Sequence, residues 1–508
     1  MSEPLSPERK ISQLENLVLV ICLLLIFILS ARAPLDTDMW WHLRAGTISL
    51  ETGKPLLSDV FSFTKTGASW MNHSWLAEVG MAFLFRWLGF SGLALGVSLV
   101  ACLSMLLVWQ CLSGNPLLKA VWILTCAVFC SLVWAPRPQI VSLLFLAGLQ
   151  WLIVGVRDRN FKSLWIVVPL FALWSNLHAG YSLGLILIAA IVAGDVFDWL
   201  VKGTVIPTTK PLALWGIAGG LATLVNPNGI NTWRVLFETV DVKALQQFIS
   251  EWASPDFHEL TQLIFLIFFM LCVFLLMVKK ESLAGEDLAK LISFGLLAFY
   301  ARRNIAPFAI IAIPMVSKTL NQLIRTPIDP SSPLTGVLDQ IKRWFARANR
   351  EENPILTRLR KGINLILVTI LFTVGLGKLI VVSHPVMVNR YIYESYPMRG
   401  MEWLKENQPA GNLLNEYDWG GFLIWNVPDN LVFVDGRTDL YGDKVLSDWI
   451  TLVQAGENTQ SLLDQYQIQT IMLRPDRPLV KLLAGQGWEV KVNDSAVVIL
   501  ERQIKDVN

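Results

Sequence analysis

The feature that most constrains this chain is a series of apolar stretches, each close to the length of a membrane span and nearly free of charge. A helix of about 20 such residues crosses a hydrocarbon core of roughly 30 Å. In lipid the backbone must satisfy its own hydrogen bonds, so these stretches are expected to be helical. They lie near 14–33, 89–112, 117–135, 138–156, 163–179, 180–200, 211–226, 259–278, 288–301, 304–319 and 363–383. The expectation is a polytopic α-helical membrane protein of about eleven spans. Only 16% of the 508 residues are charged, against roughly 25% in soluble domains. The first run, Leu14–Ala33, has no clear small-residue cleavage site and reads as a retained anchor.

The net charge of +2, without a Lys/Arg run, points to no nucleic-acid partner. Basic residues collect in alternate loops: Arg9 and Lys10; Lys119; Arg157, Arg159 and Lys162; Lys202 and Lys210; Lys279, Lys280 and Lys290; and the long loop 320–361. The positive-inside rule then puts the N-terminus in the cytoplasm. After eleven spans the C-terminus is outside. Residues 1–383 form the membrane part, and 384–508 have the composition of a soluble domain. Strands are expected at Gly411–Glu416, Leu431–Asp435, Gln469–Arg474, Trp488–Asn493 and Ala496–Glu501, with helices near 397–407, 443–454, 458–466 and 477–485. That alternation predicts an extracytoplasmic α/β domain. All six cysteines lie in apolar segments, so no disulfide framework is expected in the tail.

The chemistry concentrates in the first outer loop, 34–88. Two helices are expected in it, at 36–53 and 73–88, both rich in Trp and Phe and lying along the outer surface. Asp36, Asp38, His42 and Arg44 fall within nine residues of one another. On a helix Asp38 and His42 share a face at i, i+4. Such a cluster suits a general base or a metal ligand near a lipid head group. It is also compatible with Asp36 capping a helix and Trp40 and Trp41 serving as interfacial anchors. Glu78 is an acid in an apolar stretch beside His73; it is either a second site carboxylate facing Asp38 or a partner of Arg86.

Other candidates lie on the same expected side. Arg137, between Pro136 and Pro138, is a possible phosphate contact in a proline turn. His178 ends a span. Glu251 precedes Trp252 in the loop 226–258. Arg302 and Arg303 are adjacent arginines at membrane depth, where charge is costly and usually functional. Their forked donors match phosphate oxygens; one span more or fewer would make them an ordinary cytoplasmic anchor. In the tail, Asp418 and Trp419 precede a Gly pair, and Asp435 and Arg437 flank Gly436 at an expected strand end, where α/β domains place ligand groups.

A single span followed at once by an acidic motif, two surface helices in one long loop, many further spans and an outer C-terminal domain resemble the GT-C superfamily of integral-membrane glycosyltransferases. That superfamily includes the protein O-mannosyltransferases, aminoarabinose transferases and oligosaccharyltransferases. The stretches Asp36–Arg44, Phe61–Thr64 and Asn72–Glu78 are also similar to bacterial GT-C-like proteins. The resemblance implies a bacterial inner-membrane enzyme moving a sugar from a polyprenyl phosphate or diphosphate to a glycan, lipid or protein acceptor, with inversion of the anomeric carbon. Among its neighbours would be membrane lipids. It implies Asp36 or Asp38 as the catalytic acid, with Glu78 as a further carboxylate. An Asp-x-Asp pair permits a divalent cation, Mg or Mn, without demanding one. Asp418-Trp419-Gly420 loosely resembles the region by which oligosaccharyltransferases read an acceptor peptide, but the paired tryptophans are missing, so peptide recognition does not carry over. A lipid or polysaccharide transporter and a non-catalytic envelope assembly protein are the competing classes. The chain lacks the internal repeat usual in transporters.

Overall fold

The computed structural model describes residues 7–158, 161–234, 251–278, 284–325, 354–409 and 411–503. Arg159, Lys279, Lys280, the stretch 235–250 and most of the loop 320–361 lie outside the described residues. The membrane part runs α1 (Pro7–Ser30), α2 (Met39–Thr52), α3 (Trp75–Cys111), α4 (Pro116–Cys130), α5 (Gln139–Asp158), α6 (Val167–Leu177), α7 (Tyr181–Lys202), α8 (Thr209–Ala222), α9 (Leu260–Val278), α10 (Gly285–Tyr300), α11 (Ile305–Arg325) and α12 (Pro354–Ser383). Among the described residues, eight helices are long and apolar enough to cross a membrane: α1, α3, α4, α5, α7, α9, α11 and α12. The stretches expected at 163–179, 211–226 and 288–301 are helical but shorter. At 1.5 Å per residue, the 14 residues of α8 and the 16 of α10 reach only about 21–24 Å. All eleven expected stretches are helical: eight are long and apolar enough to cross a membrane by themselves, and three are shorter apolar helices among them.

The two helices of the first loop are α2 and the first part of α3. Gly89, at φ +57°, breaks α3 between a loop-side segment and the membrane-length segment that follows. A side chain is strongly disfavoured in that backbone region. Trp40 and Trp41 are not interfacial anchors. They are 2% and 6% exposed, because Trp40 packs edge-on against Tyr396 and Phe422 of the C-terminal part. Burying these rings seats the tail on the first loop. The main apolar core lies among α3 to α7 and α9 to α11 and includes Met105, Ile123, Leu146, Phe171, Phe265 and Phe308. At the end of α5 away from Arg137, Arg157 pairs with Asp195 and Glu286 and so fastens α5, α7 and α10 together.

The C-terminal part continues with α13 (Pro385–Ser395), α14 (Met398–Glu406), β1 (Asn412–Asn415), α15 (Gly420–Asn426), α16 (Thr438–Val453), α17 (Thr459–Gln465), β2 (Ile468–Leu473), α18 (Pro478–Leu483), β3 (Trp488–Asn493) and β4 (Val498–Arg502). The sheet order is β1-β2-β4-β3, with β1 parallel to β2 and the other two pairs antiparallel. Four of the five expected strands form. The fifth, Leu431–Asp435, does not join the sheet. The Asn415 side chain accepts from the amides of Phe433 and Val434 and donates to the Val434 carbonyl, so it takes the place of a strand neighbour. Val432 makes a single bridge to Ser62 of the first loop instead.

Candidate active site

The site begins where α1 ends. The Asp36 carboxylate accepts from the Asp38 amide at 2.9 Å, an Asx turn that leads into α2. Asp38 is the residue before α2, but its side chain does not cap the helix; it accepts from the Trp41 indole at 3.3 Å. The proline turn between α4 and α5 brings in Arg137. Its guanidinium bridges three carboxylates: Asp36, Asp38 at 3.2 Å and Glu251 at 3.2 Å. The Arg303 amide donates to the Glu251 carbonyl and the Arg302 amide to Ala253. The Arg303 guanidinium lies 4.5 Å from the centre of the Trp252 ring. Glu251 and Trp252, paired in the sequence, thus hold two different arginines.

The C-terminal part closes this cluster from above. A Cβ on Gly436 would collide with the Asp38 carboxylate, and one on Gly421 with the Thr37 carbonyl. Glycine there allows the domain to approach the acids. Burial pushes the Asp38 carboxyl up, Arg137 pulls it down, and Asp36 and Glu251 push it up again, to about 7. The Tyr417 hydroxyl is held well above its ordinary value by burial and then by the carboxylates of Asp38, Asp435 and Asp418. Asp38 is therefore a carboxylate on the edge of protonation at neutral pH.

A second group of side chains adjoins the first. His42 faces Glu78 at 2.9 Å rather than Asp38, and the Asn72 amide donates to the other Glu78 oxygen at 2.7 Å. Glu78 is fully buried and bonded to these residues, not to Arg86. Burial, then the charges of Arg137, His73 and His178, hold the His42 pKa well below its ordinary value. His73 and His178 meet edge to face with ring centres 5.7 Å apart.

The remaining candidates fall elsewhere. Arg44 is half-buried and makes no hydrogen bond or ion pair among the described residues. Arg302 lies in the turn with Arg303, and its side chain makes no ion pair among the described residues. Asp435 and Arg437 are buried together. Arg437 bonds Asp435 twice, at 2.9 and 2.7 Å, and reaches Asp59 of the first loop at 2.7 Å. Its pKa is lowered by burial but raised further by Asp435, Tyr441 and Asp59, so it stays charged. This pair, read from the sequence as ligand groups, joins the tail to the first loop. Trp419 is buried. Asp418 pairs with Arg474 at 3.0 Å on the wall of a cavity of about 280 Å³ that also has Tyr417, Trp449 and Arg477 in its lining. Asn72 and Gly436 are site residues that the sequence reading left out. Asn72 sits in the quoted stretch before Glu78, and the Gly436 signal was its place between Asp435 and Arg437.

Asp36 and Asp38, the pair expected to take any divalent cation, are bridged by Arg137, and no group of three or more His, Cys, Asp or Glu among the described residues is placed to hold a metal.

An apolar bundle with an acid pair directly after the first helix, two helices in the first loop and an α/β tail seated on them is similar in fold to solved oligosaccharyltransferase structures. The oligosaccharyltransferase AglB of the archaeon Archaeoglobus fulgidus, in complex with an inhibitory peptide and a dolichol-phosphate, matches at a TM-score of 0.58 and 11% identity, over 91% of this chain and 69% of that one. The same organism's oligosaccharyltransferase in complex with Zn and sulfate matches at 0.53 and 12% identity, over 97% and 74%. ArnT from Cupriavidus metallidurans, bound to undecaprenyl phosphate, is a looser likeness at 0.44 and 12% identity, over 95% and 97%. No protein-family model matches the chain, and no curated protein matches its sequence.

Proposed function

We propose that this protein is a membrane glycosyltransferase that moves a sugar from a polyprenyl phosphate or diphosphate to an acceptor hydroxyl at the outer face of a bacterial inner membrane. The observation that carries the reading is Asp38. It directly follows the first span, lies within reach of Arg137, and has a carboxyl pushed to about 7. Asp38 takes the proton of the acceptor hydroxyl as the acceptor oxygen attacks the anomeric carbon. The bond from that carbon to the phosphate oxygen breaks, and the lipid phosphate leaves with the electron pair. Attack from the face opposite the phosphate inverts the carbon. Arg303, stacked on Trp252 beside Glu251, is the cation available to the departing phosphate. Glu78 holds His42 in place and acts as a positioning residue. Arg137 supplies a fixed positive charge among the acids. The acceptor, whether glycan, lipid or protein, approaches from the side of Tyr417 and Asp418.

The test is Asp38→Asn against Asp36→Asn, with transfer from polyprenyl-linked sugars measured in reconstituted membranes. Asn keeps the shape but cannot take up a proton. Asp38→Asn should lose about 10²–10⁴-fold in turnover, the usual weight of a general base. Asp36→Asn should lose less, because its carboxylate chiefly holds the turn and Arg137. Full activity in both variants would sink the reading; a dead Asp36→Asn beside an active Asp38→Asn would exchange their roles.

A further inference from the structure

His178 lies where α6 ends, and the hydrogen bonds around it identify its protonation state. The Gly180 backbone amide donates to His178 Nδ1 at 3.0 Å. An amide N–H can only donate, so Nδ1 carries no proton. The Ser142 hydroxyl lies 2.8 Å from the same nitrogen. The Trp174 indole, which also can only donate, supplies its N–H to Ser142 Oγ at 2.9 Å. The single Ser142 proton is then free to point at Nδ1. A chain of donors runs Trp174 to Ser142 to His178, and Gly180 donates from the other side.

Two further observations fit. A Cβ on Gly180 would collide with Ser142 Oγ and press on His178 Nδ1, so the close approach requires glycine. Burial, then the charges of His73 and Arg303, hold the His178 pKa well below its ordinary value. With Nδ1 accepting, the neutral ring carries its proton on Nε2. That N–H makes no hydrogen bond among the described residues. The charge of Arg303 acts on both His178 and His73, whose rings meet 5.7 Å apart.

We propose that Ser142 and the Gly180 amide lock His178 as a neutral Nε2–H donor, and that this N–H joins Arg303 in binding a phosphate oxygen of the lipid-linked donor. The proposal rests on the glycosyltransferase reading for the identity of the anion. The tautomer stands independently of it. Ser142, which acts only through His178, is a positioning residue.

The experiment uses the full chain in nanodiscs, with farnesyl phosphate as probe and farnesol as control. In nitrogen-15 spectra of histidine-labelled protein, His178 should show a protonated Nε2, and Ser142→Ala should mix the two tautomers. His178→Asn places its amide near the Nδ1 position, whereas His178→Gln reaches the Nε2 position. Asn should weaken farnesyl phosphate binding about tenfold, the loss of one hydrogen bond to a charged oxygen; Gln should stay within about threefold of the native protein. Melting curves check that each variant is folded, and the Ser142→Ala spectrum still decides if His178→Asn is not. A proton on Nδ1 overturns the lock. Native binding with equal affinity in the Asn and Gln variants overturns the phosphate contact alone. No preference for farnesyl phosphate over farnesol in the native protein overturns both the contact and the polyprenyl-phosphate reading, while the spectrum still reports on the tautomer.

Discussion

Asp38 owes its chemistry to competition. Burial raises its carboxyl, Arg137 opposes, and Asp36 and Glu251 add to the rise, giving about 7. A base acts as the carboxylate, so activity should be present above that value and lost as pH falls through it. kcat/KM for glycosyl transfer should climb to a plateau with a midpoint near pH 7. Arg137→Met removes the opposing cation, so its midpoint should move to higher pH. A profile that is flat from pH 5.5 to 8 in the native protein would remove Asp38 from the role of base. At the same scale, His42 was expected to share a face with Asp38, and the i, i+4 spacing is present on the chain. The ring turns to Glu78 instead. Spacing along a helix says which side chains can meet, but burial of Glu78 needs a partner, and His42 and Asn72 supply it.

Among the elements, the approach of the 434–437 segment to the start of α2 is the most sensitive feature. This segment forms no strand, because Asn415 satisfies its backbone from the side. It is thereby free to lay Gly436 against Asp38. Gly436→Ala should displace the carboxylate and lower transfer by tenfold or more, since misplacement of about 1 Å can cost 10²-fold. The melting temperature should change little, because the position is at the edge of the site. Initial rates beside a thermal melt would check this, and native rates in Gly436→Ala would mean that Asp38 has room to move. The first-loop helices were legible from their Trp and Phe content and from the turn residues around them. Their environment was not: the same rings suit a membrane interface or a protein–protein contact, and Trp40 makes the latter.

On the scale of the whole molecule, the tail is fastened to the first loop by a buried ionic junction. Asp59, Asp435 and Arg437 have side chains with no exposure, and Arg437 lies 5.0 Å from the ring centres of both Phe61 and Trp70. Arg437→Met would leave two buried carboxylates without their cation. Breaking a buried pair in this way costs about 3–5 kcal/mol, so the variant should melt earlier and release its tail to limited proteolysis. An unchanged melt would show that apolar packing alone docks the tail. Orientation is checked by labelling engineered cysteines with an impermeant maleimide, the six native ones lying in apolar segments. Asp439→Cys should react from outside and Lys119→Cys only from inside. Reaction of both from one side would reverse or break the expected topology.

The sequence by itself determined the membrane class, the positions of nearly all helices, four of the strands and the short list from which the site is drawn. These follow from local properties: apolar length, strand alternation, and acids placed directly after a span. Only the tertiary structure decided which candidates meet. Arg137, Glu251 and Arg303 are separated from Asp38 by about 100 to 265 positions of chain, and no periodicity links them. They converge because helix ends meet on one side of the bundle, and a buried carboxylate there is tolerated only beside a cation. The same requirement drew Arg437 to Asp59 and Asp435, so that a pair with the look of a ligand site became the joint between loop and tail.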